Sequence, residues 1–131
     1  MFNKDRIILF TIRFANKYSI PRPNIQIVGG AAMVLRDLRN VTSDIDIYVD
    51  SYLCNRLLET EDFERKYDKD MPEVKWLANR FFDIRNTPHH CDLEIENFKI
   101  QSLESILAMK VALNRDKDQI DIAKLRKALK R

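Results

Sequence analysis

From Lys4 to Tyr18 the residues Ile7, Ile8, Phe10, Thr11, Phe14, Ala15 and Tyr18 recur at the spacing of one helical face, which predicts an amphipathic helix. Pro21 and Pro23 end it. Ile25, Ile27 and Val28 then form a short apolar run that stops at Gly29-Gly30, and a helical pattern resumes from Ala31 to Leu38: strand, tight turn, helix. Ser43 to Val49 alternates polar and apolar positions with the period of a strand, which should pair beside the first. Tyr52 to about Tyr67 reads as a helix with Leu53, Leu57, Leu58 and Phe63 inward, followed by a charged loop from Lys66 to Glu73 broken at Pro72.

Two more strands are expected, near Arg80–Arg85 and Cys91–Glu96, with Asn86 to His90 joining them as a hairpin. Ser102 is placed to cap a helix from Leu103 to about Leu113, and a last helix starts at Asp116 or Lys117 and carries Ile120, Ile122, Leu125 and Leu129. The pattern predicts one α/β (α+β) domain over residues 1–131, with a small mixed sheet of about four strands flanked by helices.

Composition narrows this picture. Two glycines and four prolines in 131 residues exclude collagenous and low-complexity chains. The two cysteines, Cys54 and Cys91, lack the spacing of a zinc site or disulfide framework and read as reduced thiols. The N-terminal MFNKDRIILF mixes charges into its apolar run, so neither a signal peptide nor a membrane span is expected there, and a cytoplasmic protein is. A net charge of +3 is compatible with a phosphate-bearing partner without demanding one.

The chemistry begins at Asp44 and Asp46. Two residues apart on a strand, they project from one face while Ile45 and Ile47 enter the core. Paired carboxylates must be protonated, solvated or neutralised, and oxygen ligands of this kind select magnesium or manganese. Both glycines of the chain fall in the one turn before the second helix, where a missing Cβ lets the backbone approach an anion. Taken singly, each feature also fits a plain structure: surface acids on an edge strand, and a turn that needs a positive φ.

Together, the residues IVGGAAMVLRDLRNVTSDIDIYV resemble the signature of the DNA polymerase beta-like nucleotidyltransferase superfamily: apolar strand, glycine pair, helix, then two acids around an apolar residue. Thirteen residues separate Gly30 from Asp44, at the long end for that signature, and Gly30 stands where many relatives carry serine, leaving backbone N–H groups to serve the phosphates. The resemblance implies a nucleotidyltransferase fold and transfer of a nucleoside monophosphate from an NTP to an acceptor hydroxyl on RNA, protein or a small molecule, with Mg2+ (or Mn2+). It implies catalytic and metal-binding roles for Asp44, Asp46 and a third acid in CDLEIE, assigned to Asp92 with Glu94 as its rival, and nucleotide-binding roles for Gly29, Gly30, Ser43 and Lys110.

The segment LESILAMKVALNRDKDQIDIAKL is similar to the tail of the AbiEii-type minimal nucleotidyltransferases, several of which are toxins of toxin–antitoxin pairs. That likeness implies a possible small antitoxin-like partner and places Lys110 and Arg115, Asp116, Lys117, Asp118 and Asp121 near the cleft. The alternative for Lys110 and Asp118 is a salt bridge between two helices. A catalytically inactive nucleotide-binding or regulatory module of the same fold is the competing function. His89 and His90, beside Pro88, read as exposed turn residues. Arg36, Arg39 and the basic last helix offer charges to nucleic acid without interleaved aromatics for stacking bases.

Overall fold

A computed structural model describes residues 1–130. It opens with α1 (Lys4–Lys17), capped by the Asn3 side chain, which accepts from the Arg6 N–H at 3.0 Å, and α1 buries Ile7, Phe14 and Ala15. The chain continues through β1 (Gln26–Ile27), α2 (Gly29–Leu35) and β2 (Ile45–Tyr48) to α3 (Ser51–Leu58), which Asp50 caps by accepting from the Leu53 N–H. There follow β3 (Glu64–Lys66), β4 (Trp76–Ala78), β5 (Phe82–Arg85), β6 (Cys91–Ile95) and β7 (Phe98–Gln101). Two last helices, α4 (Leu103–Leu113) and α5 (Gln119–Ala128), are joined by a 3-10 turn over Asp116–Asp118. Ser102 caps α4 as its position suggested, accepting from the Ser105 N–H at 3.1 Å.

The sheet holds seven strands in the order β3-β4-β5-β2-β1-β7-β6, against the four or so expected. The shortfall has a physical source. β1, β3 and β4 are two or three residues long, too short to display a period. The segment expected as helix from Tyr52 to Tyr67 ends at Leu58, and Glu64–Lys66 instead pairs antiparallel with β4. The expected hairpin between the Arg80–Arg85 and Cys91–Glu96 strands does not form. β5 lies parallel to β2, whereas β6 turns back on β7 through Glu96 and Asn97, both at positive φ, the backbone of a tight hairpin turn.

β1 and β2 do pair, antiparallel, with Ile27 opposite Ile47. Ile27, Ile45, Ile47, Leu77, Ile84 and Ile100 from five central strands are fully or almost fully buried against Ile7 of α1, Met33 of α2 and Ile106 of α4. In a sheet that alternates sides, the apolar set faces the helices, which leaves Asp46 and Asp83 to project from the opposite side of β2 and β5. Among the described residues no helix is long and apolar enough to cross a membrane.

Candidate active site

The site forms where β1 ends and α2 begins. Gly29 sits at φ +57°, a conformation that side-chain-bearing residues resist, and the Val28 N–H donates to the Asp46 carbonyl at 2.9 Å, tying this elbow to β2. A Cβ built on Gly29 would lie 2.7 Å from Asp46 Oδ2, so the missing side chain is what admits the carboxylate. The Gly30 N–H acts on the same carboxylate, drawing its pKa down. The Gly29 N–H is satisfied differently: it donates to Oε1 of Gln101, a wholly buried side chain at the end of β7, at 2.8 Å.

Asp46 therefore points into the elbow as the alternation predicts, and Asp44 stands exposed just ahead of β2. The acid beside Asp46 is Asp83, its register partner on β5. Burial, then the charge of Asp83, then that of Asp44 push the Asp46 carboxyl up to about 7, although Arg85 and the Gly30 N–H pull the other way. Asp83 accepts from Arg85 Nε at 3.3 Å, and the Arg85 guanidinium lies over the Trp76 ring, 4.2 Å from its centroid.

Asp92, expected to join Asp44 and Asp46, lies elsewhere. It is on β6, separated from β2 by β1 and β7, and is bonded to Arg36, which also donates to the Gln101 carbonyl. Glu94, its rival, pairs with Lys99 on the neighbouring strand. Lys110 is likewise committed. It is 7% exposed and lies 3.3 Å from Asp118 and 3.2 Å from Asp121, so the salt bridge weighed as the alternative for Lys110 is present. Ser43 is exposed beside Asp44, with its hydroxyl 3.5 Å from that carboxylate. His89 is half-buried rather than exposed, its backbone N–H and carbonyl both bonded to the Gln26 side chain, and burial lowers its pKa.

Asp83 and Gln101 escaped the sequence reading. Phe82-Asp83-Ile84 repeats in miniature the pattern of Ile45-Asp46-Ile47, an acid between two apolar residues on a short strand, and that repetition was the available signal.

Among the described residues no group of three or more His, Cys, Asp or Glu gathers closely enough to enclose a metal ion. The donor chemistry nonetheless fits a hard divalent cation: Asp44, Asp46 and Asp83 offer only carboxylate oxygens, and their mutual repulsion raises the proton affinity of Asp46. A carboxyl held at the edge of protonation by burial first, and then by its acidic neighbours, is one that a cation relieves.

Residues 13–128 match a protein family described as nucleotidyltransferases of unknown function (DUF6036). Neither a curated protein nor a solved structure matches the chain.

Proposed function

The chain belongs to this nucleotidyltransferase family, and from that premise we propose that it transfers a nucleoside monophosphate from a nucleoside triphosphate to an acceptor hydroxyl. One observation carries the reading: the Asp46 carboxylate is seated in the Gly29–Gly30 elbow, with Asp44 and Asp83 near enough to raise its pKa. In this reading Asp83, not Asp92, is the third acid of the site.

Asp44, Asp46 and Asp83 would hold magnesium or manganese, which supplies Lewis-acid polarisation of phosphate oxygens and lowers the pKa of a bound hydroxyl. The protein's own contribution is placement. The glycine elbow seats the Asp46 carboxylate where a side chain on Gly29 would block it, and the Asp83–Arg85–Trp76 stack fixes the third carboxylate. The acceptor oxygen forms a bond to the α-phosphorus, the bond from that phosphorus to the bridging oxygen breaks, and pyrophosphate leaves. The hydroxyl proton passes to the Asp83 carboxylate.

The test is incubation of the protein with each labelled triphosphate, magnesium or manganese and a total cell extract, reading pyrophosphate release and the fraction of extract that takes up label. Label in RNA, protein or small molecules identifies the acceptor. Release that persists in Asp46→Asn overturns the mechanism, and triphosphate binding without release under every condition leaves a nucleotide-binding module. The likeness of the C-terminal third to toxin-bearing relatives extends the proposal to a toxin paired with a small antitoxin-like protein. Growth arrest on expression that Asp46→Asn relieves is the expected sign.

A further inference from the structure

Gly30 has no need of a glycine's backbone freedom, since it does not share the positive φ of Gly29. Its reason lies in space. A Cβ built there would stand 2.5 Å from Arg39 Nη1 and 3.0 Å from Thr42 Oγ1, with Arg39 Cζ farther off at 3.7 Å, so the guanidinium of Arg39 points Nη1 at the elbow. The two glycines thus have opposite neighbours: a carboxylate, Asp46, beside Gly29, and a guanidinium, Arg39, beside Gly30.

What holds Arg39 there comes from the far end of the chain. Its Nη2 lies 3.4 Å from Asp121 Oδ2 on α5. Asp121 also receives Lys110 of α4, Lys110 reaches Asp118, and Asp118 accepts from Arg115 at 2.7 and 3.0 Å. Among the described residues Arg39, Lys110 and Arg115 share two carboxylates, Asp118 and Asp121, three positive charges against two negative ones. The hydrogen bonds from Arg115, together with Lys110 and against the effect of burial, hold Asp118 at about 2, so that excess persists at neutral pH.

Lys110, Asp118 and Asp121 are buried, which leaves the surplus to be expressed at Arg39 and Arg115, whose side chains are 35% and 44% exposed. Only Arg39 abuts the elbow. The other arginine near α2, Arg36, is occupied by Asp92 and by the carbonyls of Gln101 and Ile100. With Nη2 on the buried Asp121 and Nη1 against Gly30, the Arg39 guanidinium is held beside the elbow yet stays 35% exposed, a placement in which its charge can meet a phosphate.

We propose that Arg39 binds the β,γ-phosphates of a nucleoside triphosphate at the Gly30 side of the elbow, and that Asp121, itself braced by Lys110, is its positioning residue. This inference rests on the nucleotidyltransferase reading for the identity of the ligand, but it is tested by binding and not by turnover. Titration calorimetry with magnesium compares ATP, CTP, GTP and UTP with the matching monophosphates. Wild type is expected to prefer triphosphate, and Arg39→Met to lose about tenfold or more of triphosphate affinity with monophosphate affinity unchanged. Arg39→Lys should recover part of the loss, since an ammonium keeps the charge without the fork.

Gly30→Ala, which displaces the guanidinium without removing it, should mimic Arg39→Met in binding while keeping its melting temperature near wild type. Asp121→Asn should weaken triphosphate binding in wild type and have no further effect in Arg39→Met. If the chain turns over, Arg39→Met raises KM for the triphosphate more than it lowers kcat. Undiminished triphosphate affinity in a folded Arg39→Met, or no preference for triphosphate in wild type, overturns the proposal. Arg39-dependent binding with no pyrophosphate release sustains it while removing the enzymatic reading.

Discussion

Asp46 and Asp83 are register partners on the parallel strands β2 and β5, so two carboxylates that share one face of the sheet stand side by side. Asp46 is the one that bears the cost, because it is the more deeply set in the elbow and is raised by burial before any neighbour acts on it.

The pH dependence of stability follows from this pair. Asp46 releases its proton near 3.8 in the unfolded chain and at about 7 in the folded one. Across that window the folded state holds a proton that the unfolded state has lost, so stability falls as pH rises and levels off above the folded value. The penalty at pH 8 is about 4 kcal/mol. Asp46→Asn should remove it, raising the melting temperature of the metal-free protein at pH 8 while changing little at pH 4. Magnesium should stabilise wild type at pH 8 and leave Asp46→Asn unmoved. A flat stability profile for wild type from pH 4 to 8 in thermal melts would count against the carboxylate cluster.

The choice of third carboxylate separates two variants. Asp83→Asn should lower nucleotidyl transfer by about a hundredfold or more, the scale on which preorganised charge acts at a reacting centre. Asp92→Asn, which only loosens the contact with Arg36 at the sheet edge, should stay within about twofold of wild type. Initial rates of pyrophosphate release compare them, and equal losses would return Asp92 to the site.

Gln101 is a structural requirement of the elbow. Gln101→Leu leaves the Gly29 N–H without an acceptor in a buried place and should cost about 1–3 kcal/mol. Gly29→Ala should be damaging in its own way, combining a strained positive φ with a Cβ pressed on Asp46, and should cost about 1–3 kcal/mol. Chemical denaturation measures both, and a wild-type midpoint in Gly29→Ala would show that the elbow relaxes freely.

Lys110→Met tests the buried network. Asp118 keeps Arg115 and Asp121 keeps Arg39, so the loss should be about 2–3 kcal/mol, below that of a wholly abandoned buried charge. Because Asp118 is held at about 2, its share of stability is complete above 3.8 and disappears as pH falls through 2. Lys110→Met should shrink this acid-sensitive contribution, which acid titration of the melting temperature reads directly.

Helices α1 and α4 and the strand that carries Asp46 were legible because each is long enough, or alternates strictly enough, to show its period: α1 and α4 end within a residue of where the pattern put them. The third acid was not. A sequence displays neighbours along the chain, whereas Asp83 meets Asp46 only because β5 inserts parallel to β2, and β4 and β6, not β2, are its near neighbours in sequence. Local pattern favoured CDLEIE because strict alternation would put its three acids on one face, but Glu96 falls in the turn beyond β6 and a bulge between Cys91 and Leu93 interrupts the alternation at Asp92. The same limit applies to α5. Of the apolar residues that the last helix carries, Ile120 is 71% exposed while Asp121 is buried, because the charges of Lys110 and Arg39 outweigh the cost of enclosing a carboxylate there.

The contact between Arg39 and Asp121 also sets an order of events during biosynthesis. A ribosome that has delivered every strand of the sheet has not yet delivered the anchor for that guanidinium, which arrives only with the last helix. Translation products cut short before residue 121 lack that anchor together with Ile122 and Leu125 of the core, so incomplete copies should be silent rather than half-active.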